Sequence, residues 1–268
     1  MKKGDNLNCR YRTRAGRLLS VFCLLFLFAG VETLFASDAR DQVFAERAHA
    51  AFDQAQIQFQ SHTNDPVAAW EFGRACYDWA DWATNKAQRA AIARDGIAAC
   101  RHSLALADSA AGHYYLAFNF GQLAHCEMLG GLKLVHEMER EFKTTAGLDA
   151  HFDFAGPERC LGLLYRDAPG WPLSIGSRHK AREWLDQAEQ LAPDYPENHL
   201  NLAEAFLRWH DRAGAERELK ALDALWPVAR THLTGPAWEP SWADWSARRE
   251  AVRKRLDETS PPAGSPKN

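Results

Sequence analysis

Residues 181–227 read AREWLDQAEQLAPDYPENHLNLAEAFLRWHDRAGAERELKALDALWP, and their spacing decides the fold. Ala181 recurs as Ala215, and Pro193 recurs as Pro227, each after 34 residues. Thirty-four residues is the period of the tetratricopeptide helix pair. Between the two copies lies LAEAF (202–206), a large apolar residue, a small one, and another large one at helical spacing. The small residue lets a second helix approach closely, and its apolar neighbours fill the groove between the two.

The same pattern extends toward the N-terminus. FGRAC (72–76), LAFNF (116–120) and LGLLY (161–165) repeat the large–small–large phrase, with Gly73, Ala117 and Gly162 at the small position. Helix ends recur as well, in RHSLALAD to Asp108, FKTTAGLD to Asp149, DQAEQLAPD to Asp194 and LKALDALWP to Pro227. Their last leucines (Leu106, Leu148, Leu191, Leu225) are spaced 42, 43 and 34 residues apart. No alternating strand pattern interrupts this stretch. The expectation is an all-α protein, a tetratricopeptide-like α-solenoid of about four helix pairs over residues 40–257. Trp238, Trp242 and Trp245 then begin a helix that caps its open end.

The repeats are unequal. From Ala203 to Ala215 the close-approach positions are 12 apart, the minimal case, whereas Gly162 to Ala181 spans 19 and Gly73 to Gly96 spans 23. Insertions in a repeat array map to loops on one face. Three enlarged turns are therefore expected: one in the first pair, one around MLGGLKLV (128–135), and one at RDAPGWPLSIGSRHKA (166–181). In the last of these, Pro169 and Pro172 restrict their own dihedrals and those of their predecessors. Gly170 and Gly176 permit tight bends, and Ser177 can cap the next helix.

Both ends of the chain differ in kind from the middle. Six cations, Lys2 to Arg17, precede the apolar run LLSVFCLLFLFA (18–29), and small residues follow in FASDA. Residues 1–39 read as a secretory signal peptide, the run being short for a span of about 20 residues. The alternative is an uncleaved anchor. Processing would remove those six cations and three anions from 32 Lys+Arg and 35 Asp+Glu, leaving a formal charge of −6. That balance does not suggest nucleic acid or an anionic membrane as partner. The expected location is the periplasm, with membrane contact only through partners or an uncleaved N-terminal segment. ETSPPAGSPKN (258–268) has the composition of a disordered tail.

Four cysteines lie beyond the leader. Cys76 and Cys100 fall at core-facing positions of facing helices, where they could form a disulfide closing a 25-residue loop. Such a bond would contribute roughly 3 kcal/mol by the loop-entropy estimate; otherwise they are two small buried thiols. Cys126 and Cys160 are expected to be free. His113, His125 and His136 lack the spacing of a metal site, and no phosphate loop, nucleophile elbow or cofactor motif appears. The chain does not read as an enzyme.

Three features could bind a ligand. Tyr115, Asn119 and Gln122 lie at i, i+4 and i+7 on one helix face, which either lines a pocket, or is solvated or satisfies backbone in a neighbouring turn. Arg159 and Arg166 flank the LGLLY helix beside Tyr165. They either hold a carboxylate in bidentate fashion or pair with Asp153, Glu158 or Asp167. Trp171 either stacks on a ligand or plugs the end of a helix pair.

GPERCLGLLYRDAPGWPLSIGS (156–177), PDYPEN (193–198) and the upstream GHYYLAFNFGQLAHC (112–126) carry a resemblance. Together they resemble the tetratricopeptide-like T-component (TatT-like) family of TRAP transporters, over about Pro66 to Pro227. Similar phrases occur in the regulator-of-microtubule-dynamics proteins of eukaryotes, so they mark a repeat subtype. The resemblance implies an exported helical protein that partners the solute-binding component of a tripartite transporter. It also implies a pocket or pore for a small apolar or amphipathic ligand. This chain lacks the lipoprotein cysteine that would tether it to a membrane. A general periplasmic tetratricopeptide scaffold for protein–protein interaction is the alternative.

Overall fold

A computed structural model describes residues 31–127 and 130–258, with side chains from residue 41 onward. Of the leader expected over 1–39, residues 1–30 fall outside these residues and 31–39 lie in the first helix; of the tail expected over 258–268, all but Glu258 falls outside. Among the described residues the protein is all-helical, with ten helices and no strand. These are α1 (Val31–Ser61), α2 (Pro66–Ala80), α3 (Lys86–Leu106), α4 (Ala110–Ala124) and α5 (Gly131–Leu148). They continue with α6 (Gly156–Asp167), α7 (Arg178–Leu191), α8 (Pro196–Arg208), α9 (Arg212–His232) and α10 (Glu239–Glu258). Consecutive helices pack as pairs, in keeping with an α-solenoid-like arrangement.

Five of the ten helices begin where a short polar side chain accepts a hydrogen bond from the first turn. Asp65 accepts from Val67, Asn85 from Gln88, Ser109 from Gly112, Ser177 from Lys180 and Asp211 from Gly214. Each satisfies a backbone N–H that the helix leaves without a partner.

The chain divides into two compact units at about residue 144. In the first, α2 packs on α1, α3 and α4. Phe72, Cys76, Ala80, Ile92 and Ala99 form its buried centre, with Phe52 and Phe59 of α1 laid against them. The small residues act as expected. A Cβ on Gly73 would stand 2.2 Å from Cys100 Sγ, and one on Gly96 2.2 Å from Asn119 Oδ1.

In the second unit α6 packs on α7, α7 on α8, α8 on α9, and α10 lies on both α8 and α9. Tyr195, Trp238 and Trp245 form an aromatic cluster with Phe154, and Trp242 donates from Nε1 to Leu233 O at 2.7 Å. This is the capping helix the tryptophans implied. Helix α8 is surrounded, and every residue from Pro196 to Ala203 is buried. A Cβ on Gly162 would reach within 2.6 Å of Leu185 Cγ, which brings α6 and α7 together.

Two expectations change. The turn of the first pair is short, residues 81–85, and residues 131–135 of the second expected insertion lie in α5, so these extra residues went into helix rather than loop. Helix α3 accordingly runs for 21 residues through the alanine-rich AQRAAIARDGIAA, a good helix former. Of the three enlarged turns expected, 168–177 is the one seen among the described residues. Pro227, aligned with the helix-ending Pro193, lies inside α9, which continues to His232.

Candidate functional site

The first nominated face, on α4, is a filled seam. Asn119 is fully buried, and its Nδ2 donates to Gly73 O and Tyr115 O, both at 2.8 Å. Gln122 donates to Asp81 Oδ1 at 2.8 Å and Tyr77 O at 3.3 Å, and accepts from Arg89 at 3.1 Å. Tyr115 is 1 % exposed, stacked 5.8 Å from Trp70 and edge-on to Tyr114. The pocket-lining option therefore gives way to the other: two amides bond the backbone of α2 across the helix contact. A buried amide group must find a partner or lose about 1–3 kcal/mol; Asn119 Nδ2 and both ends of Gln122 found theirs within the fold, whereas Asn119 Oδ1 has none among the described residues.

The second nominated group is also structural. Arg159 is 1 % exposed. Its guanidinium donates to Asp153 O (3.2 Å), Asp153 Oδ2 (3.1 Å), Phe154 O (3.1 Å) and Asn198 Oδ1 (3.2 Å), with Glu197 3.8 Å away. Tyr195 lies under it, with 4.9 Å from guanidinium carbon to ring centroid. Asp153, Phe154 and Ala155 all have left-handed backbone, with φ of 51°, 57° and 60°. That conformation costs a non-glycine residue about 1–2 kcal/mol, and Arg159 ties down two of the three carbonyls. Arg166 pairs with Asp167 at 2.8 Å, and Tyr165 is buried beneath Lys180. Pairing with Asp153 and Asp167, not capture of a ligand carboxylate, is what these arginines do.

Residues outside the nominated set complete this cluster. Arg248 of α10 donates to Glu204 at 2.8 and 2.9 Å and lies 3.5 Å from Glu197. Glu204 also faces Arg166 at 3.9 Å. Charges thus alternate from Asp153 through Arg159, Glu197, Arg248, Glu204 and Arg166 to Asp167. Burial raises the Glu197 carboxyl despite Arg159 and Arg248, whereas at Glu204 the Arg248 charge and hydrogen bonds outweigh burial and lower it. Arg248 read only as one of many charges on a polar helix, so the sequence held no sign of its partners.

Glu158 stands apart. It is 1 % exposed, and its Oε2 has no hydrogen-bond partner among the described residues. Burial pushes its carboxyl up to about 7, against the pull of its own backbone N–H and of Arg159.

Cys76 and Cys100 are both fully buried, as their positions implied, but as free thiols rather than a disulfide. Burial pushes both well above the usual thiol range, which suppresses the reactive thiolate. Cys126 and Cys160 likewise form no disulfide among the described residues. Among the described residues no group of three or more His, Cys, Asp or Glu is placed to hold a metal ion. An open, mostly apolar groove of about 420 Å³ lies between α1 and Trp79, rimmed by Glu46, His49 and Asp53.

The remaining nominated residue behaves differently. Trp171 is 89 % exposed and its neighbour Leu173 69 %. Trp171 plugs nothing. The loop beneath it is closed by Gly176 N donating to Pro169 O at 2.9 Å and Ser177 N donating to Tyr165 O at 2.9 Å. Leu173 N donates across the tip to Gly170 O at 3.0 Å. A Cβ on Gly176 would fall 2.1 Å from Ala168 O, so the neck closes only around glycine.

No family model and no curated protein matches this chain.

Proposed function

We propose that this is an exported helical-repeat interaction protein, an accessory subunit of the T-component type that works with a TRAP-type solute-binding protein in the periplasm. One observation carries the reading. Two of the phrases behind the resemblance, GPER and PDYPEN, are separate in sequence but form one physical cluster. Arg159 of GPER bonds Asn198, faces Glu197 and covers Tyr195 of PDYPEN, and the closed APGWPLSIGS loop joins α6, which carries Arg159, to α7. Such interlocking supports a shared repeat subtype rather than a chance likeness of short words.

Protein binding is favoured over small-molecule binding, because six of the seven candidate ligand residues are engaged inside the fold. The test is affinity purification of the tagged protein from the periplasm of its host, with mass-spectrometric identification of what co-elutes. The expected result is a solute-binding protein encoded beside two membrane subunits. Recovery of unrelated envelope proteins, and no transporter component, would favour the general scaffold.

A further inference from the structure

We propose that the tip of the 168–177 loop is a membrane-docking element that inserts Trp171 and Leu173 into the surface of a bilayer bearing anionic phospholipid. The inference goes beyond the protein-partner reading and does not depend on it.

Two large apolar side chains stand in water on a four-residue tip, 89 % and 69 % exposed, above a neck fixed by backbone hydrogen bonds. Ordering has already happened, so inserting the tip costs little further conformational entropy. Trp is the side chain that best matches a bilayer interface, with an apolar body and one N–H for the headgroup layer. Leu173 supplies a purely apolar partner for the acyl region.

Directly past the neck, α7 opens with Arg178, His179 and Lys180, all exposed, and no acidic residue in its first turn. His179 meets Glu183 at 3.2 Å. Arg178 and Lys180 meet no carboxylate among the described residues; they rest over the rings of Trp209 and Tyr165 at 5.2 and 5.1 Å. Cations at a helix N-terminus are disfavoured by its dipole. Here they form an uncompensated positive pair at the base of an apolar tip. Lipid phosphates would compensate them at the depth where the tip enters acyl chains.

The shape selects a bilayer over a protein socket. A stable protein interface removes about 800 Å² from each partner, far more than a two-residue tip presents. A bilayer needs only a wedge and a few cations, which gives weak, salt-sensitive, reversible association. The overall negative balance of the chain is no obstacle, because the field that matters is local, within about 10 Å at 0.1 M salt.

The test uses the exported form of the protein with vesicles of equal parts phosphatidylcholine and phosphatidylglycerol, and vesicles of phosphatidylcholine alone. Co-sedimentation is expected with the anionic vesicles, weakening at high salt. The double variant Trp171→Ala, Leu173→Ala should lose roughly tenfold or more of the partitioning. Arg178→Gln and Lys180→Gln should each lose roughly fivefold on anionic vesicles. These side chains are exposed, so an unchanged thermal midpoint controls for folding. Brominated lipid should quench a component of the tryptophan emission that disappears in Trp171→Phe. Absence of partitioning, or partitioning that the double variant retains, would overturn the proposal. If Trp171→Ala instead releases the co-purifying solute-binding protein while vesicles bind nothing, the tip is a protein contact and only the membrane assignment fails.

Discussion

Arg159 and Trp171 lie twelve residues apart in the same helix pair, and each was a candidate for meeting a ligand. The fold treats them oppositely. Arg159 is 1 % exposed and engages a left-handed turn, an asparagine and two carboxylates; Trp171 is 89 % exposed above a closed loop. The difference shows where a helical-repeat chain spends polar chemistry. Inside, charge and amide groups fasten helices of differing lengths to one another. Outside, one loop is held rigid and its large side chains are left to the solvent.

The largest expected effect tests the buried side of this comparison. Arg159→Met leaves Asp153 and Glu197 without their cation and frees the carbonyls of the left-handed turn. Removing one partner of a buried charge cluster costs about 3–5 kcal/mol, so urea unfolding should shift by that amount. A shift under about 1 kcal/mol, the level of an exposed pair, would mean the cluster is solvated and available after all.

A smaller effect probes the seam between α6 and α7. Gly162→Ala places a methyl 2.6 Å from Leu185 Cγ. Overpacking of this kind costs about 1–3 kcal/mol, measurable as a lowered thermal midpoint. An unchanged midpoint would show that the two helices do not touch at this glycine.

Smaller again is a pH effect at Glu158, whose carboxyl is raised to about 7 from 4.5. The folded state holds its proton more tightly than the unfolded chain. Stability therefore falls as pH rises from about 4.5 to about 7, and the cost is fully present above pH 7. Glu158→Gln should unfold on the order of 1–2 kcal/mol later than the parent at pH 8, with the gap closing by pH 4.5. Curves that stay parallel across this range would place Glu158 in water.

The smallest expected effect lies on the exposed side. Trp171→Ala should leave stability within about 0.5 kcal/mol, as surface substitutions do. A loss of several kcal/mol in urea unfolding would show that the tryptophan packs against the fold.

The helices were legible in the sequence because capping residues and large–small–large phrases are local. Ser177 stands at a helix start, as expected, and Gly73 and Gly162 at close approaches, as the spacing implied. Turn size was less legible. Equating Gly96 with Ala215 treated added residues as loop, although a run such as AQRAAIARDG extends a helix equally well. Pro227 misled for a related reason: a proline marks a helix end only when packing does not hold the chain helical beyond it. The Tyr115–Asn119–Gln122 face was correctly placed on one side of one helix. Whether that side meets solvent or α2 depends on contacts some 45 residues away, such as Asn119 with Gly73 and Gln122 with Tyr77, which periodicity does not encode.

Hydroxyl-radical footprinting of the isolated protein, read residue by residue in the mass spectrometer, tests the central contrast most directly. Trp171 should be oxidised fastest of the tryptophans, while Trp242, Trp245, Tyr115 and Tyr165 stay protected. Protection of Trp171 comparable to that of Trp245, or rapid labelling of Tyr115 and Tyr165, would contradict the division between a buried polar framework and an exposed docking tip.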